Sequence, residues 1–336
     1  MRKLFPLALL AAAAAMAIAA GTGYHVIKEI KIGGDGGWDY LTMDNAARRL
    51  YVSHATHVIV VDVDAGKVVG DIPNTDGVHG IAVASQLNRG FTSNGRSNDV
   101  TIFDLKTLKP IGQVKTGMNP DSIRFDSVSG RVFTFNGRSN DSTAIDAKTG
   151  NVVGTIPLGG KPEFSVADGK GKIYVNIEDT TEIAEIDTAK VMVTKRYSLK
   201  PCDGPSGLAI DTKTRRLFSV CGNRLMTVSD PDTGKVLATP AIGQGSDGVA
   251  FDPGTGYAIS SNGDGTMTVV KETGGKWEVV ENVATFRGAR TIALDEKTHN
   301  VYLPTADPTP TPAGAAQGRG RATYLPDTFK VLVVGK

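Results

Sequence analysis

A nine-residue phrase occurs twice in this chain, and its spacing restricts the folds open to the sequence. Residues 91–99 read FTSNGRSND and residues 133–141 read FTFNGRSND, so eight of nine letters agree at a distance of 42 residues. A period near 42 is typical of β-propellers, in which each repeat forms one four-stranded blade. We therefore expect further copies of the same unit along the chain.

Seven short apolar segments begin such units. Their starts are 40 to 43 residues apart, and they read YLTMD (40–44), GIAVA (80–84), SIRFD (122–126), FSVAD (164–168), GLAID (207–211), GVAFD (248–252) and TIALD (291–295). Further segments rich in Val, Ile, Phe, Tyr and Thr follow each one, separated by turn sequences such as DAKTGN and DPDTGK.

The seventh unit lacks a fourth strand at its C-terminal end. The segment YHVIKEIKIGG (24–34) matches the pattern of a fourth strand such as NVVGTIPLGG (151–160). An N-terminal strand that completes the last blade would close the ring without an open edge. The sequence thus predicts an all-β fold, a seven-bladed β-propeller of four-stranded blades closed by an N-terminal strand.

The repeat resembles that of the YVTN-repeat, YncE-like family of secreted bacterial β-propellers. The segments that carry the resemblance are YVSH (51–54), FTSN (91–94), FTFN (133–136) and YVNI (174–177), whereas the fifth and seventh copies depart from it with FSVC and YLPT. The resemblance spans residues 24–336 and implies a propeller of WD40-like repeats. It says little about function, because propellers host many chemistries.

The first twenty residues predict a cleaved secretory signal peptide. MRK is a short basic start, LFPLALLAAAAAMAIAA is apolar, and Ala17-Ile18-Ala19 offers a cleavage site. A membrane anchor is the alternative, but the apolar run is short and rich in Ala. We expect residues 1–20 to be removed and residues 21–336 to form a monomeric propeller in the periplasm or secreted, without a membrane anchor.

One position in each unit supplies candidate ligand-binding residues. The residue before each first strand should lie at the mouth of the central channel, and these residues are Asp39, His79, Asp121, Glu163, Ser206, Asp247 and Arg290. Six of the seven are ionisable, which blade packing does not require, although a wet channel mouth also tolerates polar groups. Arg290 should pair with Asp247 and Asp39 and lower the pKa of both acids.

The opposite arc of the channel mouth carries His79, Asp121 and Glu163, with no cation evident in the sequence. His54, in the turn after the second strand of blade 1, could lean toward this arc. The four side chains His54, His79, Asp121 and Glu163 are therefore candidate ligands of a divalent metal, or an acid and base.

The repeated phrase places further polar residues on the same face. Arg96 and Arg138 could clamp a carboxylate or phosphate beside Asn94 and Asn136. Alternatively, each Asn-Gly pair only makes a tight turn and the arginines are solvated. Trp38 could offer a flat apolar contact to a ligand, or pack between blades.

Two other features fall on this face. Residues 306–322 form a flexible insertion in blade 7, rich in Pro, Ala and Gly, which is either a lid or an inert loop. Cys202 enters blade 5 and Cys221 ends its second strand, so the two thiols should form a disulfide in an exported protein.

These features favour a binding or interaction module that takes a small molecule or a protein partner on the channel face. The alternative is a metal-assisted hydrolase of the lactonase type, which uses the acids and histidines of the mouth. Single-stranded nucleic-acid binding is a third possibility. It is disfavoured by the 6% aromatic content and by a charge balance of 35 basic (37 minus Arg2 and Lys3) against 35 acidic residues.

Overall fold

The chain folds into seven four-stranded antiparallel sheets arranged around a central channel. The computed structural model describes residues 21–309 and 323–336, so the predicted signal peptide and most of the predicted insertion lie outside it. The innermost strands of neighbouring sheets contact one another all the way round, from blade 1 back to blade 7. The predicted seven-bladed propeller is confirmed.

The strands of the described residues share a length of three to nine residues and are joined by short turns. In chain order they are β1 His25–Lys31, β2 Leu41–Asp44, β3 Arg49–His54, β4 His57–Asp62, β5 Lys67–Ile72, β6 Val78–Ala84, β7 Arg89–Asn94, β8 Asp99–Asp104, β9 Pro110–Lys115, β10 Pro120–Asp126, β11 Arg131–Asn136, β12 Asp141–Asp146, β13 Val152–Pro157, β14 Pro162–Ala167, β15 Lys172–Ile177, β16 Glu182–Asp187, β17 Met192–Ser198, β18 Pro205–Asp211, β19 Arg216–Cys221, β20 Met226–Ser229, β21 Val236–Ala238, β22 Ser246–Asp252, β23 Tyr257–Asn262, β24 Thr266–Thr273, β25 Lys276–Ala284, β26 Ala293–Asp295, β27 Asn300–Thr305 and β28 Lys330–Gly335.

Blade 7 is built from both ends of the chain. Its strands lie in the order β26-β27-β28-β1, and β1 pairs antiparallel with β28 from His25 opposite Gly335 to Lys31 opposite Lys330. Blades 1 to 6 each use four consecutive strands. The N-terminal strand therefore closes the ring as predicted, and it covers the edge of β28 that would otherwise be unpaired.

The apolar core lies between the blades. The second strand of each blade carries a large side chain opposite the middle of the first strand, and Tyr51, Phe91, Phe133, Tyr174 and Phe218 are all almost completely buried there. Tyr51 of blade 1 packs against Phe103 of blade 2, with ring centroids 5.9 Å apart. Burial of each such ring contributes about 1.5 to 3 kcal/mol, so these contacts hold neighbouring blades together.

The face that carries the turns between first and second strands, here called the turn face, is stabilised by buried aspartates. Asp126 Oδ2 accepts hydrogen bonds from the Ser129 amide at 2.9 Å and from its hydroxyl at 2.6 Å. Asp252 and Asp295 bind their own turns in the same way. These carboxylates replace the backbone partners that a tight turn leaves unsatisfied.

The opposite face, here called the mouth face, carries the disulfide and the base of the insertion. Cys202 and Cys221 are bonded, with Cα atoms 5.5 Å apart, which confirms the predicted bridge. At the base of the insertion the Thr309 amide donates to the Thr323 carbonyl at 2.9 Å. Among the described residues no helix is long and apolar enough to cross a membrane.

Candidate functional site

The seven residues predicted before the first strands form what we call the mouth ring. Five of them, His79, Asp121, Glu163, Ser206 and Asp247, lie where the pairing of the first and second strands of their blade shifts register. A bulge of this kind leaves a residue without a partner on the next strand and turns its side chain away from the sheet. The repeated irregularity therefore directs the ring residues toward the channel mouth.

His79 joins carboxylates from the blades on both sides of it. Its Nδ1 atom lies 2.7 Å from Asp39 Oδ2 in blade 1 and 3.2 Å from Asp121 Oδ1 in blade 3. One ligand atom from each of these three residues lies within 4.8 Å of the other two. Burial lowers the pKa of His79, but its hydrogen bond to the Asp39 carboxylate and the nearby acidic charges outweigh this effect and raise that pKa.

The repeated phrase supplies the surface on which the His79 ring lies. A Cβ atom on Gly95 would come within 2.6 Å of His79 Nε2, so only glycine leaves room for the imidazole. The matching Gly137 of blade 3 is less crowded, with its nearest neighbour at 3.4 Å. Gly95 is thus a positioning residue of the ring, although the sequence alone marked it only as a turn residue.

Glu163 has a cation beside it, contrary to the expectation for this arc. Lys161 Nζ lies 2.7 Å from Glu163 Oε1 and also contacts Glu178. Glu163 is not one of the three residues whose ligand atoms lie together. Lys161 was missed because it lies two positions before the ring residue, and its long side chain reaches back to the carboxylate.

Arg290 bridges the other arc. Its Nε atom lies 3.0 Å from Asp247 Oδ2, and its Nη2 atom lies 3.9 Å from Asp39 Oδ1. The expected fall in the pKa of Asp247 is wrong, because burial of that carboxyl group raises its pKa more than Arg290 lowers it. Ser206, the one uncharged member of the ring, donates to the Ser246 carbonyl at 3.3 Å.

Negative charge is in excess at the mouth. Burial, together with neighbouring acids, raises the pKa of Asp121 to about 6 and that of Glu163 to about 8, against the opposing effects of His79 and Lys161. Four ring carboxylates, Asp39, Asp121, Glu163 and Asp247, share Arg290, Lys161 and the imidazole of His79. Such a group of buried acids retains protons unless another cation enters.

Two aromatic residues close the channel directly beneath the ring. Tyr40 follows Asp39 and Phe164 follows Glu163, and their ring centroids lie 4.8 Å apart across the channel from blade 1 to blade 4. At the equivalent positions the other blades carry Gly80, Ser122, Gly207, Gly248 and Thr291. We call Tyr40 and Phe164 the aromatic plug. The contrast between these two aromatic residues and the small residues of the other blades is a sequence signal from which the plug could have been predicted.

Asn94 and Asn136 have structural contacts in place of the predicted ligand contacts. Both are completely buried. Asn94 Nδ2 donates to Asp99 and to Thr101, each at 2.9 Å, and Asn136 repeats the arrangement in blade 3. Each amide therefore ties the second strand to the third, and the phrase recurs because adjacent blades use the same internal link.

The remaining predicted residues lie apart from the three-residue cluster. Arg96 is exposed and pairs with Asp76 at 3.1 Å, and Arg138 is exposed as well. His54 does not lean toward His79, because its ring stacks on Phe329 with centroids 4.4 Å apart. His54 Nδ1 lies 3.2 Å from His57 Nε2.

Trp38 lies beside the ring as a packing residue. Its ring centroid is 4.7 Å from that of Tyr324 and 5.2 Å from that of Phe329. These contacts fix the chain that leads from β1 to β2 against the end of the insertion. Packing is therefore the role that the structure gives this tryptophan.

Comparison with known proteins identifies the fold but no family. No protein-family model matches the chain, and no match is found among curated proteins. Among solved structures, a chain of Kuenenia stuttgartiensis hydrazine synthase is similar with a TM-score of 0.69 and 17% sequence identity, covering 81% of this chain and 94% of that one. At this identity the similarity supports a propeller fold and says nothing about activity.

Proposed function

We propose that this protein is an exported propeller that serves as a binding module and takes a divalent cation at Asp39, His79 and Asp121. The observation that carries the proposal is the position of His79 Nδ1, which faces carboxylate oxygens of two other blades at 2.7 and 3.2 Å. A nitrogen and two carboxylate oxygens form a donor set suited to Zn²⁺ or Mn²⁺. His54 and Glu163 are not in this set, which differs from the four ligands predicted from the sequence.

The spacing of these atoms supports a metal site. Ligand atoms about 2.0 to 2.2 Å from a tetrahedral ion are separated from one another by roughly 3.3 Å. The distances from His79 Nδ1 are close to this value, so small side-chain rotations suffice to admit the ion. The raised pKa of His79 means that a bound ion would compete with protonation of the imidazole.

The excess of carboxylates supports a cation as the occupant. Glu163 and Asp247 lie in the same ring and would add attraction without direct contact, and Lys161 and Arg290 offset only part of the charge. The side chains of Asp39 and Asp121 are each 15% exposed and that of His79 is 29% exposed, so the group remains accessible from solvent. A small molecule or protein partner would then bind on the same face.

Metal-assisted hydrolysis of the lactonase type is the second candidate. It is favoured by the Glu163 carboxyl group, whose pKa of about 8 suits an acid or base at neutral pH. A bound divalent ion would supply a Lewis acid for a carbonyl oxygen. Hydrolysis of simple lactones that is lost in Glu163→Gln, with metal affinity retained, would favour this function over binding alone.

Export is proposed on two grounds. The disulfide between Cys202 and Cys221 suits an oxidising compartment such as the periplasm. The N-terminal sequence has the pattern of a signal peptide. Membership of the YVTN-repeat, YncE-like family is proposed on the second-strand segments at 51–54, 91–94, 133–136 and 174–177.

Calorimetric titration of the mature protein with Zn²⁺ and Mn²⁺, after treatment with a chelator, tests the metal site. We expect one ion per chain in the wild type and at least a tenfold loss of affinity in His79→Ala. The matched control is His299→Ala, because His299 Nδ1 also lies 3.0 Å from a carboxylate, that of Asp252, but on the turn face. Equal affinity in wild type and His79→Ala would overturn the proposal and leave an ion-paired histidine.

A further inference from the structure

A cavity lies on the side of the aromatic plug that faces away from the mouth ring. It has a volume of about 210 Å³ and extends from Tyr40 and Phe164 along the first strands to the turn residues Asn45 and Glu296. Because all first strands run from the mouth face to the turn face, this cavity opens at the end of the channel opposite the mouth ring. The cation site proposed above does not include it.

Arg124 is the exceptional residue of this cavity. It lies in the middle of β10, opposite Phe133 on β11. Most other blades place a small residue at the equivalent position, and the series reads Thr42, Ala82, Val166, Ala209, Ala250 and Ala293. Packing of the repeat therefore does not require an arginine here.

The contacts of Arg124 leave its charge without a counter-ion among the described residues. Nε and Nη2 donate to the Ser165 carbonyl at 3.0 and 2.6 Å, and the guanidinium lies over the Phe164 ring at 5.1 Å. Nη1 has no hydrogen bond to the described chain. By contrast, Arg48, Arg215 and Arg290 each contact carboxylates.

Burial lowers the pKa of Arg124 to about 10, and no acid in the described part of the chain opposes the effect. A guanidinium stays protonated at neutral pH, so the protein holds a partly buried positive charge here. An uncompensated charge of this kind destabilises the fold unless an anion joins it. The cavity is accessible from solvent, so such an anion can enter.

The other residues that line the cavity indicate what kind of ligand it binds. Leu41, Met43, Ile81, Ile123 and Leu294 surround the cavity, together with the plug rings. We infer that this cavity binds a small organic carboxylate, whose charged end accepts hydrogen bonds from Arg124 and whose apolar body lies against these side chains. Arginine is suited to this role because its planar group matches the geometry of a carboxylate.

Benzoate is a suitable probe, because it combines one carboxylate with a compact apolar ring. Calorimetric titration of the mature protein should show saturable binding of benzoate in the millimolar range, and Arg124→Ala should weaken it at least tenfold. The matched control is Arg131→Gln in the same blade. Arg131 Nη1 also donates to carbonyl groups of blade 4, those of Thr188 and Ala189, but it does not line the cavity.

Two further measurements show whether a loss of benzoate binding arises at this cavity. Arg124→Ala should fold with an unchanged or higher melting temperature, since four blades already carry Ala at this position. It should also retain Zn²⁺ affinity. The absence of a cation site at the mouth ring can therefore be distinguished from the absence of a carboxylate site in this cavity. Equal benzoate affinity in wild type and Arg124→Ala, no benzoate binding by the wild type, or binding of inorganic phosphate in its place would each overturn the assignment.

Discussion

The two faces of the propeller both carry rings of buried acids, but the acids differ in how they are satisfied. On the turn face, Asp126, Asp252 and Asp295 repeat the same contacts, since each accepts hydrogen bonds from an amide and a hydroxyl of its own turn, and Asp295 is also paired with Arg48. On the mouth face, Asp121 and Glu163 lie beside His79 and Lys161, and the residue type at the ring position varies among Asp, His, Glu, Ser and Arg from blade to blade.

This difference distinguishes carboxylates that stabilise the fold from carboxylates that are available for binding. A carboxylate that recurs in the same role in several blades is part of how the blade folds. Burial, and then the neighbouring acids, raise the pKa of carboxylates that lie together across blades, and their ionisation opposes folding, so a role in binding accounts for them better than a role in stability. The following predictions test whether the two faces divide in this way.

The largest effect is expected on the turn face. Asp295 is completely buried and accepts two hydrogen bonds from Arg48 at 2.6 Å, which joins blade 7 to blade 1. Asp295→Ala should lower the free energy of unfolding by about 3 to 5 kcal/mol, because it removes the buried partner of Arg48 and the acceptor of the turn donors Lys297 and Thr298. Urea denaturation measures the change. Asp64→Ala, which removes the exposed partner of the same arginine, should cost less than about 1 kcal/mol.

Stability should depend on pH in opposite directions on the two faces. The pKa of Asp295 is lowered to about 2, so its contribution, on the order of 2 kcal/mol, is present above about pH 4 and is lost as the pH falls through the folded value. Asp121 and Glu163 have raised pKa values of about 6 and 8, so folding loses stability as the pH rises through them.

Denaturation of the metal-free protein at about pH 2, 4 and 8 would reveal a maximum near pH 4, because Asp295 is then ionised in the folded state and the ring acids are only beginning to ionise in the unfolded state. The double variant Asp121→Asn, Glu163→Gln should flatten the alkaline side only. An alkaline side that keeps its slope in this variant would show that the ring acids do not cause it.

A smaller effect, on the affinity for Zn²⁺, is expected at Gly95, the glycine of the repeated phrase that lies against His79. Gly95→Ala should weaken Zn²⁺ binding by roughly tenfold, because the added Cβ meets the imidazole, and displaced ligands bind metal less tightly. Gly137→Ala is the matched control, since its Cβ would make only ordinary contacts. Calorimetric titration compares the two, and equal losses would assign the effect to the turns in general.

The smallest effect concerns Glu163 alone. Glu163→Gln should raise the free energy of unfolding of the metal-free protein by about 1 kcal/mol at pH 8, because it removes a destabilised charge. Lys161 keeps Glu178 as a partner. Glu178→Gln is the control and should change little. A loss of stability in Glu163→Gln would mean that the Lys161 pair outweighs the crowding of acids.

The fold was predictable because each unit repeats the same strands and turns at nearly constant spacing. The mouth ring was found by the same means, since a shared position in a repeat is also a shared place in the ring. Asn94 was predicted to contact a ligand, although the sequence also carries a signal for a structural link at this position. Blades 2, 3 and 6 all carry an Asn with a Thr or Ser two residues before it, as in Thr92, Thr134 and Ser260, and this recurrence indicates a structural link.

The repeat pattern could not predict which side chains contact one another. The sequence does not show that Lys161 turns back to Glu163, because this depends on a side-chain rotamer. Phe329, which holds the ring of His54, is far away in sequence. The lowered pKa expected for Asp247 failed for a related reason, since the sequence showed its partner but not its burial.

The pairing of β1 with β28 sets an order for the assembly of the molecule. Each of blades 1 to 6 draws its strands from one continuous stretch and can form as soon as that stretch is available. Blade 7 must wait until β28 is available to pair with β1, when Gly335 reaches His25. Its closure joins distant segments and carries the largest entropic cost of any blade, so we expect it to be the last and slowest event in folding.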